Sequence, residues 1–265
     1  MKLIQSRDNS FFKELVKLNG SARNRGRAGQ TLLDGAHLLA AYLDAGHHPR
    51  HILLNAAALQ DGEIAGLLVR LNDVPVSQLD DKLYAQLSEL KTPTGILALI
   101  DLPQAPLAPA RFALLLEDIQ DPGNLGSMLR SAGAAGCDAV YLSPACADAW
   151  SPKVLRAAMG GHFCLSIHEQ QNLLTVAQAF PGMRLATTLH ATYSLYECDL
   201  QGNVAFMMGN EGAGLSDALL ACATHKITIP MPGKVESLNA AAATAICLFE
   251  AVRQRLGIEP YKSAT

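Results

Sequence analysis

Three short segments rich in glycine and asparagine constrain the fold of this chain more than any other feature. They cover residues 117–136, 207–216 and 229–246, and each lies where a short apolar run gives way to a helical pattern. Such a segment places backbone amides and polar side chains at the end of a strand, which is where open α/β sheets bind ligands. Three of them in one chain predict an active site built from strand ends.

The remaining pattern predicts an α/β fold class. In the C-terminal part we predict strands at 112–117, 139–142, 164–167, 184–188, 204–208 and 226–229, and helices at 125–135, 152–159, 173–180, 215–221 and 238–255. In the N-terminal part we predict helices at 10–18, 35–45, 63–71 and 82–87, strands at 51–54, 74–76 and 96–100, and an exposed loop at 21–30. Alternation of helices with apolar strands predicts a mainly parallel sheet that is covered on both faces.

A proline-rich segment separates the two parts. Residues 101–111 hold three of the thirteen prolines, and dense prolines favour an extended linker. We therefore predict one domain over 1–100, a linker over 101–111 and a second domain over 112–265.

Charge is distributed unevenly along the chain. Residues 1–30 contain seven lysines and arginines but only two acidic residues, although the whole chain carries a net charge of −3. A basic segment on an acidic protein indicates contact with a polyanion from one side. Arg23, Arg25 and Arg27 in the predicted loop are the candidate contacts, and an ordinary solvated helix and loop is the alternative.

Several classes of protein and site are disfavoured. The first twelve residues lack the apolar core of a signal peptide, and no apolar run approaches the ~18 residues of a membrane helix. Six scattered cysteines form no CxxC pair, and His47, His48 and His51 straddle a helix end and a strand start. We expect a cytoplasmic protein with no membrane segment, no disulfide framework and no metal site.

The first segment offers a cation beside bare backbone. Pro122–Asn124 has the composition of a turn, and Asn124 is suited to capping the following helix. Arg130 lies on the same helix beside Gly126 and Gly133, which leaves its guanidinium accessible to a phosphate or a ribose. The alternative is an ordinary surface arginine.

The other two segments supply polar groups at strand ends. Gly209–Gly214 does not follow the G-x-G-x-x-G spacing, which counts against a nucleotide-dependent dehydrogenase, and it carries Glu211. Ile229–Gly233 ends a strand in a rigid loop, after which we expect Ser237 to cap the last helix and Asn239 to lie in its first turn.

In this order the three segments resemble the three motifs of the SpoU family of RNA ribose 2′-O-methyltransferases, within the SPOUT class. The matching residues are Asn124, Gly126 and Arg130 in the first, Gly209, Asn210, Glu211, Gly212 and Gly214 in the second, and Pro230, Gly233, Ser237, Leu238 and Asn239 in the third. The N-terminal part resembles the small substrate-binding domain that precedes many such enzymes, through Asn9, Lys13, Leu15, Arg27 and Leu33–Asp34–Gly35.

The resemblance implies a particular architecture. A C-terminal methyltransferase domain with a mainly parallel sheet and a trefoil knot, an exception to the usual absence of knots, would follow a small α/β RNA-binding domain of a ribosomal-protein type. S-adenosylmethionine would bind in the knot at Gly209, Ile229 and Leu238, with Met231 and Gly233 nearby. The protein would be a homodimer in which Arg130 of one subunit completes the site of the other.

The resemblance also implies an activity, namely methylation of a ribose 2′-hydroxyl in structured RNA. Arg130 would be essential, and Asn124, Glu211, Ser237 and Asn239 would orient it, the ribose and the methionine moiety. The basic N-terminal residues would then contact RNA phosphates. An N-terminal RNA-binding domain favours ribosomal RNA over transfer RNA, and a catalytically silent RNA-binding protein is a further alternative.

Overall fold

The computed structural model describes residues 1–90, 92, 94–105 and 109–258. Its strands are β1 (Lys2–Ile4), β2 (Gln30–Asp34), β3 (His51–Leu54), β4 (Val76–Leu79), β5 (Ile96–Asp101), β6 (Phe112–Leu116), β7 (Ala139–Leu142), β8 (Ser166–His168), β9 (Met183–Thr187), β10 (Tyr193–Ser194), β11 (Val204–Met208) and β12 (His225–Thr228). Its helices are α1 (Ser10–Gly20), α2 (Ala22–Ala28), α3 (Ala36–Asp44), α4 (Gly62–Val69), α5 (Asp81–Leu87), α6 (Pro122–Ala135), α7 (Pro152–Ala158), α8 (Leu173–Ala179), α9 (Asp217–Cys222) and α10 (Ala240–Arg255).

The described chain divides into two compact units. The first comprises Met1–Gln104 together with Asp148–Phe163, and the second comprises the described residues of 105–147 and those from Cys164 onwards. Segment 148–163 therefore packs with the N-terminal unit, although it lies within the sequence range that we assigned to the second domain. Residues 106–108 of the predicted linker and the final residues 259–265 lie outside the described residues, and the predicted domain limits stay a prediction.

The first unit contains a five-stranded sheet in the order β1-β4-β3-β5-β2. Strand β5 runs antiparallel to both of its neighbours, whereas β1, β4 and β3 are parallel to one another. In its core, Phe12, Leu15 and Leu18 of α1 pack with Leu53 and Leu79 of the sheet. These apolar positions on α1 recur at i, i+3 and i+6, so one stripe of the helix faces the sheet.

The second unit contains a seven-stranded sheet in the order β10-β12-β9-β11-β6-β7-β8, and all its strand pairs are parallel. The central strands β6 and β11 are buried along their whole length, as expected for a parallel sheet covered on both faces. The predicted α/β class with a mainly parallel sheet is confirmed. Because neighbouring strands are parallel, their carboxyl ends lie at one edge of the sheet.

Some local predictions are wrong. Residues 21–30 do not form an exposed loop: Ser21 accepts a hydrogen bond from the Asn24 N–H at 3.3 Å and begins α2, which Gly29 ends with φ +63°. Strands β1, β2 and β10 were not predicted, and the strand predicted at 74–76 lies at Val76–Leu79. Within the described ranges, we find no helix with the length and apolar content needed to span a membrane.

Candidate active site

The three glycine- and asparagine-rich segments meet at the carboxyl edge of the parallel sheet. A cleft of about 760 Å³ opens there, between the segments that follow β9, β11 and β12 and the start of α10. Its wall includes Thr187–His190, Met208–Leu215, Asp217, Leu220, Ile227–Ile229, Met231, Ser237–Ala240 and Ala243. The volume lies within the range of ordinary ligand pockets.

One carboxylate connects all three segments. Glu211 Oε1 accepts a hydrogen bond from Asn124 Nδ2 and a second, at 3.2 Å, from Asn239 Nδ2. Asn239 Nδ2 also donates to Asn124 Oδ1 at 3.0 Å. Each side chain is therefore oriented by the other two, although 115 positions separate Asn124 from Asn239 along the chain.

The two asparagines of this network relate differently to the helices at whose starts they lie. We expected Asn124 to cap α6, but Asp121 is the cap, since its Oδ1 accepts from Asn124 N–H at 2.7 Å. We expected Ser237 to cap the last helix, but Asn239 does so, with its Oδ1 accepting from Ala241 N–H at 2.9 Å. Asn239 thus caps α10 through its oxygen and donates to the site through its nitrogen.

The turn after β11 requires glycine for steric reasons. A Cβ on Gly209 would lie 2.2 Å from the carbonyl carbon and oxygen of Gly214, so the two backbone segments can approach only without it. Asn210 closes the turn, because its Oδ1 accepts from Gly212 N–H at 2.8 Å. The result is a compact loop with bare backbone facing the cleft.

Residues at the end of β6 hold both ends of that loop. Asn210 Nδ2 donates to the carbonyl of Asp118 at 2.9 Å, and Ser216 N–H donates to Glu117 Oε2 at 2.7 Å. Asp118 has φ +56°, and Ser143 supports it by donating its hydroxyl to Asp118 Oδ1 at 2.6 Å. Strand β6 thereby positions the loop that follows its neighbour β11.

The predicted cofactor residues are distributed as follows. Gly209, Ile229, Met231 and Leu238 line the cleft, whereas Gly233 is not part of its wall. Ser237 lines the cleft, is exposed, and forms no hydrogen bond with any part of the chain that the structure describes. Its hydroxyl is therefore available to a ligand.

Arg130 lies outside this cleft. It is exposed on α6, about two turns beyond Asn124, and within the described ranges it has neither an ion-pair nor a hydrogen-bond partner. The helix positions Leu125, Met128 and Leu129 are fully buried, on the side that packs into the core. The guanidinium is consequently an unpaired cation that points away from its own core.

Our sequence analysis missed one part of the site, Thr187–His190, which line the cleft directly after β9. Glu117 and Asp118, which hold the neighbouring loop, begin the first segment that we singled out, but their role there was not predicted. Thr187–His190 follow a strand, so the strand-end rule could have identified them. They contain no glycine, which is the residue that marks the other segments.

Three arginines were predicted to contact a polyanion, and for Arg25 this prediction is wrong. Only 5% of Arg25 is exposed, and its Nε donates to Asp148 Oδ2 at 2.9 Å. Its Nη1 donates to the carbonyls of Leu18 and Asn19 at 2.6 and 2.8 Å. Arg25 therefore has a structural role, whereas Arg23 and Arg27 are exposed on α2.

Potential metal ligands do not cluster in the described residues. No group of three or more histidine, cysteine, aspartate or glutamate side chains there could hold a metal ion. His47 instead stacks on Tyr42 with ring centroids 4.9 Å apart, and His51 Nε2 lies 2.9 Å from Ser77 Oγ. Burial lowers the pKa of His51 from its usual value.

Two family models match the chain. The SpoU rRNA methylase family matches residues 111–249, and the MRM3-like substrate-binding domain matches residues 9–98. Among curated proteins, a tRNA/rRNA methyltransferase of Synechocystis is 35% identical over 95% of this chain and 94% of its own length. A 23S rRNA guanosine 2′-O-methyltransferase of Bacillus subtilis is 32% identical over 94% of this chain and 98% of its own.

Solved structures give a similar result. An RNA 2′-O ribose methyltransferase superposes with a TM-score of 0.82 at 31% identity, covering 96% of this chain and 99% of the other. A SpoU methyltransferase from Streptomyces viridochromogenes, crystallised with S-adenosylmethionine, superposes with a TM-score of 0.81 at 27% identity, covering 94% and 100%. Both similarities extend over the two units.

Proposed function

The chain belongs to the SpoU rRNA methylase family, and we propose that it transfers a methyl group from S-adenosylmethionine to a ribose 2′-hydroxyl of ribosomal RNA. The observation that carries this proposal is the Asn124–Glu211–Asn239 network at the cleft, because it assembles polar residues of all three segments in one place. A protein that had lost catalysis would have no need to preserve this arrangement.

The cleft fits the cofactor. Bare backbone at Gly209 and the free hydroxyl of Ser237 suit the polar parts of S-adenosylmethionine, whereas Ile229, Met231 and Leu238 suit its apolar surface. When bound, S-adenosylmethionine supplies an activated methyl group. The protein then mainly has to hold the ribose hydroxyl in line with that methyl group and assist loss of its proton.

The polar residues have separate roles in this proposal. Glu211 fixes the two asparagines. The side chain of Asn239 is fully used in these bonds and in capping α10, so the second amide hydrogen of Asn124 and the Oε2 atom of Glu211 orient the ribose. Arg130 contacts the 2′-hydroxyl and the neighbouring phosphate. A guanidinium with a pKa above ~12 resists deprotonation, so this residue acts as a fixed cation and hydrogen-bond donor.

Ribosomal RNA is the substrate class that the comparisons favour. The B. subtilis relative, which acts on 23S rRNA by its name, matches both units of this chain. By contrast, a structure described as acting on position 34 of tRNA covers only 57% of the chain, with a TM-score of 0.51. The exposed Arg23 and Arg27 of the N-terminal unit would contribute phosphate contacts.

A homodimer and a trefoil knot complete the proposal. Helix α10 exposes an apolar stripe that includes Ala242, Ile246 and Phe249, the last of them 47% exposed, and such a stripe suits a two-fold interface. Arg130 does not reach the cleft of its own chain, which supports its action in a second subunit. Convergence of the segments after β9, β11 and β12 on one cleft supports a knotted arrangement there.

We also propose a cytoplasmic location. All six cysteines are free, and burial raises the pKa of the Cys137 and Cys247 thiols to about 12. Thiols kept in this form suit a reducing compartment.

The decisive experiment is transfer of labelled methyl from S-adenosylmethionine to total ribosomal and transfer RNA from cells that lack this protein, followed by nucleoside analysis. Label in a 2′-O-methylnucleoside of the ribosomal fraction is expected. Label confined to transfer RNA would overturn the substrate class, and label in a methylated base would overturn the reaction. Cofactor binding without any transfer to these RNAs or to assembling ribosomal particles would favour the silent RNA binder.

A further inference from the structure

A surface of exposed aromatic and basic side chains adjoins the cleft at the edge of the second sheet. It lies beside β10, the edge strand, which pairs with β12 through Tyr193 opposite Ile227. We define the Tyr193 surface by its members, Leu189, His190, Tyr193, Tyr196 and His225, all of which are exposed.

Two rings of this surface, those of Tyr193 and His225, are held in place. Tyr193 stacks on His225 with ring centroids 5.4 Å apart and planes inclined by 26°. The Tyr193 hydroxyl donates to the carbonyl of Glu197 at 2.9 Å, which fixes the second end of the ring. Tyr196 follows three positions later and is 55% exposed. Fixed aromatic faces in water lose little conformational entropy when another flat ring stacks on them.

The segments that form the Tyr193 surface contain no acidic residue, and Glu197 follows the first of them directly. These segments, residues 188–196 and 224–228, contain His190, His225 and Lys226. Lys226 lies between His225 and Ile227 in β12, so its side chain points to the opposite face of the sheet from Tyr193 and His225. Glu197 Oε2 accepts from Ser194 N–H at 2.8 Å, which holds that carboxylate at Ser194. An exposed aromatic surface suits an unpaired nucleotide, whose base stacks on it.

The Tyr193 surface is continuous with the cleft. Leu189 and His190 belong to both, and the chain runs from them to Tyr193 within three residues. Tyr193 also pairs with Ile227, a residue of the cleft wall. A nucleotide next to the one being methylated can therefore reach this surface. The exposed stripe on α10, by contrast, carries no cation from Ala242 to Phe249 and suits a protein partner.

We propose that the Tyr193 surface binds an unpaired RNA base that flanks the methylated nucleotide, by stacking on Tyr193 or Tyr196. This inference rests on the proposed function, because it assigns a further part of the same RNA substrate. It predicts that the enzyme prefers a target nucleotide with an unpaired neighbour.

The test compares Tyr193→Ala and Tyr196→Ala with the matched Tyr193→Phe and Tyr196→Phe variants of the full chain. The probe is a fluorescein-labelled poly(U) of about 20 nucleotides, with a duplex of equal length as the second arm. Each alanine variant is expected to weaken binding of the single strand by about tenfold, and each phenylalanine variant by less than about twofold. Binding of the duplex is expected to change equally little in all four variants.

Two further measurements separate the alternatives. Titration calorimetry with S-adenosylmethionine should give wild-type affinity in the alanine variants, and their oligomeric state should be unchanged. A changed oligomeric state would mean that a second copy of the chain covers this surface. Equal single-strand affinity in all variants would likewise overturn the proposal, even where the wild-type protein methylates RNA.

Crosslinking of the wild-type protein avoids dependence on variant folding. Irradiation with a 5-bromouridine-substituted single strand should attach RNA to peptides containing Tyr193, Tyr196 or His225. Adducts found only elsewhere on the protein would overturn the proposal. Failure of the wild-type protein to methylate any RNA would instead overturn the proposed function, so the two failures are distinguishable.

Discussion

Single residues account for most of the proposed chemistry, and Arg130 is the sharpest case. Because Arg130 has no partner in the described structure and does not line its own cleft, its loss should disturb neither the fold nor the cofactor site. We expect Arg130→Ala to lower kcat by at least about a hundredfold with unchanged affinity for S-adenosylmethionine. Arg130→Lys keeps the charge but not the planar donor fork, and it should recover only part of the rate.

Steady-state methyl transfer and titration calorimetry would check this prediction. A loss of cofactor affinity as large as the loss of rate would assign Arg130 to the cofactor site instead. If the dimer is required, mixing Arg130→Ala with a Glu211→Ala variant should restore part of the activity, because some mixed dimers then contain one intact composite site.

Arg25 illustrates a residue that looks functional in the sequence and is structural in the fold. Its removal leaves Asp148 partly buried without a counter-charge, so Arg25→Ala should destabilise the protein by about 3 kcal/mol. The matched exposed variant Arg23→Ala should change stability by less than about 0.5 kcal/mol. Urea unfolding of the two variants would test the difference, and equal stabilities would contradict the structural role of Arg25.

The two exposed arginines of α2 lead to a prediction about the salt dependence of RNA binding. Replacing Arg23 and Arg27 together should reduce the slope of log K against log salt by about one for each RNA phosphate that the protein then leaves without a counter-charge.

Spacing alone could not distinguish Arg25 from its neighbours, since burial of a helix face depends on partners 123 positions away. In contrast, the sequence analysis predicted that Asn124, Glu211 and Asn239 belong to the site. Only the hydrogen bonds between them were not predicted.

Elements position these residues, and the loop after β11 shows how. Glu117 at the end of β6 accepts from Ser216 N–H and so holds the far end of that loop. We expect Glu117→Ala to raise the Kd for S-adenosylmethionine about tenfold, because a hydrogen bond to a charged group is removed. The value of kcat at saturating cofactor should change little, since Glu117 does not line the cleft.

Ser216→Ala is the control for this prediction. It removes the side chain that accepts from Leu219 N–H at 3.5 Å at the start of α9, but it keeps the backbone donor to Glu117. Calorimetry should therefore show little change in its cofactor affinity. If Ser216→Ala weakened the cofactor as much as Glu117→Ala, the effect would come from α9 rather than from the link between β6 and the loop.

Segment 148–163 contains a buried histidine, His162, that should make the stability of the protein depend on pH. Burial lowers the pKa of His162 to about 4, while its contact with the carbonyl of Ala149 and the charge of Asp148 oppose the shift. The folded pKa lies below the unfolded value of about 6.5, so the unfolded chain binds more protons between about pH 6.5 and pH 4. Stability should therefore fall as the pH drops through this window.

Urea unfolding at about pH 7 and pH 4.5 would measure this effect. We expect the free energy of unfolding to fall by about 2 kcal/mol more in the wild-type protein than in His162→Gln, since glutamine can donate to Ala149 but does not titrate. Subtracting the change in unfolding free energy of His162→Gln from that of the wild-type protein removes the contribution of all other titrating groups. Parallel pH profiles for the two proteins would exclude His162 as the cause.

Secondary structure shows which elements a sequence pattern can predict. The strands β6 and β11 are continuous apolar runs, and their prediction was correct. Helix α2 was missed because ARNRGRA is dominated by arginine, has a central glycine and carries no apolar stripe, and its stability depends on the Ser21 cap and the contacts of Arg25. The two-residue β10 is too short for any periodicity to detect.

At the scale of the whole molecule, the α/β class and its parallel sheet followed from the alternation of elements, but the pairing of distant segments did not. Nothing in residues 148–163 indicates that they pack with Met1–Gln104. The contacts responsible are specific and few, such as Thr31 Oγ1 donating to the carbonyl of Trp150 at 2.9 Å. Such contacts depend on three-dimensional position and leave no periodic signal in the sequence.

This packing predicts how the chain responds to division. A fragment that begins at Ala105 retains the cleft residues but removes the partners of segment 148–163, including Arg25 and Thr31. Trp150, the single tryptophan of the chain, is 6% exposed in the intact protein. Its fluorescence should therefore be blue-shifted in the full chain and shift towards that of free tryptophan in the fragment.

Cofactor binding by the fragment serves as the control for its folding. If the fragment still binds S-adenosylmethionine in calorimetry, a red-shifted Trp150 reports local release of segment 148–163 rather than global unfolding. An unshifted emission from a cofactor-binding fragment would mean that the segment holds its structure without the N-terminal unit. In that case the N-terminal unit would be an appended RNA-binding module, and the limits predicted at 101–111 would be those of two independently folding domains.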